Sequence, residues 1–250
     1  MALDFNQQSF TKTVDQVVID EGLRAYMLKV YNYMATALLV TGFVAYFFGK
    51  ASMITNAQGQ VVQLTDLGML LFQSPLAFVI MLAPLGLIFF GLRNIPAMSI
   101  SKAQTLFWVF SALMGLSLAS IFIVYTEASI TKVFFICSAT FGAASLYGYT
   151  TKKDLTALGS LMIMGVIGLI IASIVNWFLN SEMLGYLISY AGVLIFVCLT
   201  AYDTQKIKNI YSSTDGNEIS GKKAIMGALS LYLDFINLFI FLLRIFGQRR

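Results

Sequence analysis

Hydrophobic residues form seven long runs after residue 25, and short polar segments separate these runs. A run of about 20 apolar residues is long enough to cross a bilayer as a helix. The predicted spans are Tyr26–Phe48, Leu76–Leu92, Ala103–Tyr125, Thr131–Tyr149, Leu155–Phe178, Met183–Tyr211 and Ala224–Phe246. The pattern predicts an all-α integral membrane protein, a seven-transmembrane-helix bundle. Its single domain covers residues 26–248, behind a polar N-terminal tail over residues 1–25.

Two features interrupt this regular pattern. Pro84 and Gly86 lie inside the second span and are expected to break it, because proline removes a helical hydrogen bond. Gly49–Pro75 is the longest connector; we expect a loop, with turn-forming residues at Asn56–Gly59. The segment 212–223 is predicted as a further polar loop.

Composition supports the membrane class and excludes several functions. Charged residues make up 11% of the chain and hydrophobic residues 58%, whereas a soluble domain has about 25% charged residues. The absence of histidine excludes a histidine-based triad, a histidine metal ligand and an imidazole pH switch. Cys137 and Cys198 lie in apolar runs without metal-site spacing, so we expect neither a disulfide nor a metal site there. The net charge of +4 gives no reason to expect a nucleic-acid partner.

The distribution of basic residues predicts how the bundle is oriented. The tail and alternate loops on its side contain 11 of the 16 Lys and Arg residues, and basic residues favour the cytoplasmic side. We therefore expect the N-terminus in the cytoplasm and, after seven crossings, the C-terminus outside. Arg249 and Arg250 oppose this assignment, so a last segment that enters and returns is an alternative.

Small residues recur at four-residue spacing inside three spans: Ser111–Gly115–Ala119, Ser138–Gly142 and Gly168–Ala172. They either line a pore or allow helices to approach closely, and close packing is the common use of such residues in lipid. We expect close packing.

The last span contains an aspartate, Asp234, near its middle. A carboxylate at the centre of a span costs roughly 2.5–3.5 kcal/mol on insertion scales. The fourteen Leu, Ile and Phe residues of Ile225–Phe246 offset this cost with roughly 4–8 kcal/mol. The span is therefore expected to insert, and its carboxylate requires an explanation.

A second aspartate, Asp203, lies where hydropathy alone would end the sixth span, at Tyr202. However, Thr204–Tyr211 contains no Gly or Pro, and its isoleucines continue the apolar face. If the helix reaches Tyr211, Asp203 lies about 12 Å inside its end. Asp234 lies about 15 Å inside the predicted start of the seventh helix, so the two carboxylates are expected to meet at similar depth.

Other polar residues surround these aspartates along the two helices. Ser230 and Asn237 share a face with Asp234, and Thr200 shares one with Asp203, which predicts inward-facing polar stripes. A simpler alternative for Asp203 is an intrahelical ion pair with Lys206, and for Asp234 a buried structural hydrogen bond. Arg93, at the predicted cytoplasmic end of the second span, is on the correct side to act as a counter-ion or latch; an ordinary cytoplasmic arginine is the alternative.

Two adjacent buried carboxylates have a specific chemistry. They titrate as a coupled pair, and a proton shared between them closes the site to cations. Loss of that proton leaves hard oxygen ligands that suit calcium. Calcium prefers about 6–8 oxygens, so Asp203 and Asp234 alone predict a weak site, which suits passage of the ion.

The same residues resemble the Bax inhibitor family of membrane proteins. The resemblance is most specific over Ala228–Gly247 and includes Tyr202-Asp203 with Ile207-Lys208, and the turn Lys152–Leu155. It covers roughly residues 24–248. It implies a seven-helix fold with the last helix central and a pH-sensitive calcium leak governed by a di-aspartyl sensor, at Asp203 and Asp234 here. Arg93 is the position that corresponds to the family's latch arginine.

The resemblance leaves two classes of function open. In the first, the protein passes calcium, with calcium/proton exchange as a variant; its partners are then membrane lipids, calcium and protons. In the second, it modulates a membrane-bound protease through its N-terminal tail, and the aspartates are structural. Short loops favour a bacterial inner membrane. No cofactor and no enzymatic activity are expected. Two aspartates on consecutive spans also occur in intramembrane aspartyl proteases, but the Gly-x-Gly-Asp and Pro-Ala-Leu motifs of those enzymes are absent from the sequence.

Overall fold

The computed structural model describes residues 2–56 and 60–250, and the side chains of residues 21–56, 60–92 and 94–250. The elements, in chain order, are α1 (Ala2–Ala51), β1 (Met53–Thr55), β2 (Val61–Leu64), α2 (Asp66–Phe72), α3 (Leu76–Phe90), a 3-10 helix (Leu92–Ala97), α4 (Ile100–Leu118), α5 (Ile121–Val124), α6 (Glu127–Thr150), α7 (Thr156–Leu179), α8 (Glu182–Asn209) and α9 (Asn217–Phe246). The prediction of an all-α integral membrane protein is confirmed.

Within the described residues, six helical segments are long and apolar enough to cross a membrane. They are Glu21–Ala51, Ile100–Val124, Glu127–Thr150, Thr156–Leu179, Glu182–Asn209 and Asn217–Phe246. A seventh candidate is the pair α2 and α3, whose axes differ by 55°. The described part of the chain therefore has six candidate spans, or seven if the bent pair is one span.

The predicted break in the second span is at the wrong position. Pro84 lies inside α3, which continues from Leu76 to Phe90. The chain bends instead at residues 73–75, between α2 and α3. Pro75 directly precedes α3 and has a φ of −55°, which is close to the helical value. Proline also suits the start of a helix because it has no N–H that would be left unpaired there. Within a span, neighbouring groups can compensate for an interior proline.

The connector Gly49–Pro75 is folded, contrary to the expectation of a loop. β1 and β2 pair as an antiparallel hairpin, and α2 follows it. The Thr65 hydroxyl accepts a hydrogen bond from the Gly68 N–H and caps α2. Of the predicted turn at Asn56–Gly59, Asn56 accepts from the Gln60 N–H at 2.9 Å, and residues 57–59 lie outside the described residues.

The last helix is the most buried of the candidate spans. About 61% of the apolar window of α9 is buried, against 11–33% for the other single-helix spans. α9 packs against α1, α4, α6 and α8. It is one continuous helix from Asn217 to Phe246, so the alternative of a last segment that enters and returns is wrong. It also begins inside the segment 212–223, which was predicted as a loop; Glu218 and Lys222, four residues apart, pair on its first turns at 3.3 Å.

The helices define two ends of the bundle. We call the end formed by residues 91–99, 150–156 and 210–216 the proximal end, because the candidate span of α1 begins there, at Glu21. The distal end is formed by residues 51–65, 119–127, 180–182 and 247–250. Arg249 and Arg250 lie at the distal end, where Arg250 donates to the Tyr125 carbonyl at 3.1 Å and pairs with Glu127 at 3.2 Å. Glu127 also pairs with Lys50, so the C-terminus is attached to α1 and α6.

The proximal end is held together by a buried amide. The Gln205 side chain donates to the Lys153 carbonyl and accepts from the Leu155 N–H, both at 2.8 Å, and so attaches the α6–α7 turn to α8. In the same turn, the Thr156 hydroxyl and N–H donate to Asp154 and lower the pKa of this exposed carboxyl. The turn therefore gives α8 a fixed position next to α6 and α7.

Candidate functional site: a buried carboxylate pair

Two close contacts set the register of α8 against α9. A Cβ on Gly192 would lie 2.6 Å from the Phe241 ring, and a Cβ on Gly227 would lie 3.1 Å from Ile207. Both glycines allow an antiparallel neighbour to approach closely. Asp203 and Asp234 lie between these two contacts on their respective helices, so the register places them within about one helical turn of each other along the helix axes.

The Asp234 carboxyl is buried in the core of the bundle. The residue is 5% exposed, and its Oδ2 atom has no hydrogen-bond partner among the described residues. Asp203 is partly buried, and its charge acts on Asp234. A buried charged group without a partner is costly, so this unpaired oxygen marks Asp234 as a position for a proton or a cation.

The sixth span continues past Asp203, as predicted, although α8 ends at Asn209 instead of Tyr211. Asp203 therefore lies about 9 Å inside the helix end. α9 begins seven residues before Ala224, and these added turns extend beyond the end of α8. There Lys222 donates to the Pro96 and Met98 carbonyls, both at 3.2 Å, and attaches α9 to the 3-10 helix.

The three supporting polar residues do not bond to the carboxylates. The Thr200 hydroxyl donates to the Phe196 carbonyl at 2.7 Å, and the Asn237 amide donates to the Leu233 carbonyl at 2.8 Å. Both bonds are made to a carbonyl one turn earlier in the same helix. Polar side chains in apolar surroundings commonly satisfy their hydrogen-bonding groups in this way. Ser230 is partly buried on α9. These residues make the region polar without completing a ligand set.

Two cations, Lys206 and Arg93, are candidate partners of the pair. Among the described residues, no nitrogen–oxygen distance of 4 Å or less joins Lys206 to Asp203. The Lys206 ammonium lies 5.8 Å from the centre of the Tyr202 ring, and its charge acts on Asp203 without an ion pair. The backbone of Arg93 belongs to the 3-10 helix at the proximal end. The Arg93 side chain lies outside the described residues, and its role as a latch stays a prediction.

Sequence reasoning missed a buried tyrosine two residues before Asp234. Tyr232 is fully buried, and its hydroxyl lies 2.7 Å from that of Thr41, which donates to the Ser111 carbonyl at 2.8 Å. These bonds connect α9 to α1 and α4. A tyrosine at mid-span, away from the interfacial position that tyrosines favour, was the available signal.

The pair supplies few ligands for a resident metal. Among the described residues, no group of three or more His, Cys, Asp or Glu side chains could hold an ion. Calcium bound between Asp203 and Asp234 would complete its shell with water or carbonyl oxygens. The arrangement can therefore exchange a proton for a weakly held hard cation.

Comparison with known proteins assigns the family. A sequence profile described as "Inhibitor of apoptosis-promoting Bax1" matches residues 23–250. This chain belongs to the Bax inhibitor family. Among relatives of this Bax inhibitor family member, a protein of Rickettsia prowazekii is 47% identical over 243 residues, covering 97% of this chain and 98% of the relative. The inner membrane protein YbhL of Escherichia coli K12 is 45% identical over 232 residues, with 92% and 94% covered.

Proposed function

We propose that the protein is a pH-sensitive calcium leak of the bacterial inner membrane, controlled by Asp203 and Asp234. The observation that carries the proposal is the buried Oδ2 of Asp234, which has no hydrogen-bond partner among the described residues and on which the charge of a second carboxylate acts. In an apolar core, a proton or a cation offsets the cost of this oxygen. The two occupants compete for the same site.

This competition gives the leak its pH response. With a proton shared between the carboxyls, the pair carries less negative charge and attracts calcium weakly. Once that proton is lost, both carboxyls are ionised and together bind a hard divalent cation. Because the site has only two carboxylates, the cation leaves again, as conduction requires. Calcium/proton exchange is the variant in which each calcium displaces protons that cross in the opposite direction.

We propose the following arrangement in the membrane. The pair α2 and α3 forms one bent span, α9 is the central helix of seven, and the proximal end faces the cytoplasm, with the N-terminus inside and the C-terminus outside. The side of the 11 basic residues and the inner-membrane description of YbhL support it. Arg93 then lies at the cytoplasmic end, where it acts as a counter-ion of the pair in the closed state.

The calcium proposal and the protease-modulator alternative predict different results for deletion of residues 1–20. We expect the purified full-length protein in liposomes to pass calcium above the rate of protein-free liposomes. The variant without residues 1–20 should pass calcium at the same rate as the full-length protein, because the deletion leaves Asp203 and Asp234 in place. A calcium-sensitive dye inside the liposomes gives the measurement. A rate of calcium entry that equals that of protein-free liposomes at every pH would contradict the calcium leak. If the full-length protein shows no flux and the deletion abolishes its association with a protease, the alternative is favoured.

A further inference from the structure

A lateral cleft separates the proximal halves of α1 and α6. It has a volume of about 600 Å³ and is lined on α1 by residues between Arg24 and Tyr31, and on α6 by residues between Phe141 and Tyr149. Leu28 and Leu146 on its walls are 52% and 63% exposed. The cleft therefore opens sideways, towards the lipid, and is separate from the carboxylate pair.

The length of the cleft corresponds to one leaflet of the bilayer. The α1 wall extends over about 10 Å and the α6 wall over about 12 Å along the helices. One leaflet contributes about 15 Å of hydrocarbon. A molecule in this cleft therefore has one end at the proximal surface and the other near the middle of the membrane.

The inner part of the cleft suits an apolar chain. Gly142 has no side chain, and a Cβ placed there would have nothing within 4 Å. The two hydroxyls in this inner part of the wall are already paired, since Tyr31 bonds to Ser145 at 2.7 Å and Ser145 to Thr204 at 2.9 Å. Thr204 in turn donates to the Thr200 carbonyl at 2.7 Å. An acyl chain can therefore lie against this wall without leaving a polar group unsatisfied.

The proximal mouth of the cleft is lined by a cation, Arg24. Arg24 is exposed on α1 and has no ion-pair partner within 4 Å among the described side chains. Behind the mouth, the Lys208 ammonium donates to the Tyr149 carbonyl at 2.7 Å and lies 5.1 Å from the centre of the Tyr149 ring. Arginine recognises phosphate through charge-assisted hydrogen bonds, and basic sites between membrane helices bind acidic headgroups.

We propose that this cleft is a binding site for an acidic phospholipid. One acyl chain lies between α1 and α6 against Gly142, and the phosphate is bound at Arg24, with Lys208 adding positive charge. The site does not depend on calcium conduction, so it stands or fails separately from the proposed function.

Native mass spectrometry of the purified protein tests the headgroup part. We expect phosphatidylglycerol to bind more tightly than phosphatidylcholine of the same chains. Arg24→Gln should weaken phosphatidylglycerol binding about five-fold, the change that corresponds to about 1 kcal/mol per basic residue near the surface. Lys102→Gln, which removes an exposed cation of α4 at the same end, should change nothing. Equal binding of both lipids by the unmodified protein, or an unchanged Arg24→Gln variant, would refute the proposal.

Filling the cleft tests the chain part. Gly142→Phe should reduce binding of both phospholipids, whereas Gly168→Phe should not, because Gly168 of α7 also faces open space but lies outside the cleft. Thermal unfolding establishes that both variants fold. Glycerol phosphate without acyl chains should not compete with phosphatidylglycerol. Effective competition, or equal lipid binding by the Gly142→Phe and Gly168→Phe variants, would show that the cleft does not hold the chain.

Discussion

Replacing Asp234 with leucine is expected to stabilise the folded protein while abolishing calcium flux. Asp234 is buried, and its Oδ2 has no partner among the described residues. Leaving a buried polar group unsatisfied costs about 1–3 kcal/mol, and the apolar leucine side chain has the same branching and the same number of heavy atoms as that of aspartate. We expect the free energy of unfolding to rise by about this amount and flux in liposomes to fall to the protein-free rate.

Denaturation in detergent and calcium flux measure the two effects on the same preparations. Asn237→Leu is the matched control, because the Asn237 amide is already bonded to the Leu233 carbonyl one turn before it. It should give no comparable gain in stability. An Asp234→Leu protein that is less stable than the unmodified protein would mean that the carboxyl makes a stabilising bond, and the observation that carries the proposed function would lose its meaning.

The second large effect is expected at Gly148, where α6 meets α8. A Cβ at this position would lie 2.1 Å from the Ala201 carbonyl oxygen and 2.8 Å from its carbon. Both atoms belong to the backbone, so α8 would have to move as a unit. We expect Gly148→Ala to lower the free energy of unfolding by about 3 kcal/mol, the upper end of the usual range for overpacking.

Gly142→Ala on the same helix is the matched control. A Cβ at Gly142 meets nothing within 4 Å, so the variant should be as stable as the unmodified protein or slightly more stable, because alanine favours helix. Thermal unfolding of both variants distinguishes the effect of packing from that of helix propensity, because both replace glycine with alanine on α6. Calcium flux is measured on any Gly148→Ala protein that folds. Equal stability of the two variants would show that α6 and α8 are not held together at Gly148.

The sequence predicted the helices better than the contacts between them. The continuation of α8 past Asp203 followed from the absence of Gly and Pro and from the apolar face, and both signals are local. The break in the second span was predicted at Pro84, whereas the chain bends at residues 73–75. Hydropathy does not distinguish a proline inside a helix, whose missing hydrogen bond is replaced by neighbouring groups, from a proline that starts a helix. The hairpin at β1 and β2 was missed because three- and four-residue strands have almost no periodicity.

Glycine spacing was a partial guide to packing. Gly115 does pack closely, with a Cβ there placed 2.6 Å from the Thr41 carbonyl oxygen, whereas Gly142 and Gly168 face open space. Of the two glycines of α6, the one that packs closely is Gly148, which was not in the predicted pattern. The reason is that spacing along one helix gives the face on which small residues lie, but not whether a neighbouring helix covers that face.

For the site, the sequence predicted a pairing of Asp203 with Asp234, whose charges interact, but not the surroundings of the two carboxylates. Asp203 and Asp234 could be paired because α8 and α9 are consecutive and antiparallel. Thr200 and Asn237 bond to carbonyls of their own helices, and the Lys206 ammonium lies over the Tyr202 ring. These contacts depend on side-chain rotamers, which the sequence does not specify.

The central claim is that the Asp203–Asp234 pair controls calcium passage through its proton. The most direct test is calcium flux into liposomes from acidic to mildly alkaline pH, with Asp203→Asn, Asp234→Asn and, as a control, Asp215→Asn. Asp215 is a carboxylate at the proximal end, outside the pair, and bonds to Lys223 at 2.5 Å. We predict that flux rises with pH in the unmodified protein and in Asp215→Asn, and that both pair variants lose this rise. The same rise in all four proteins would contradict the account.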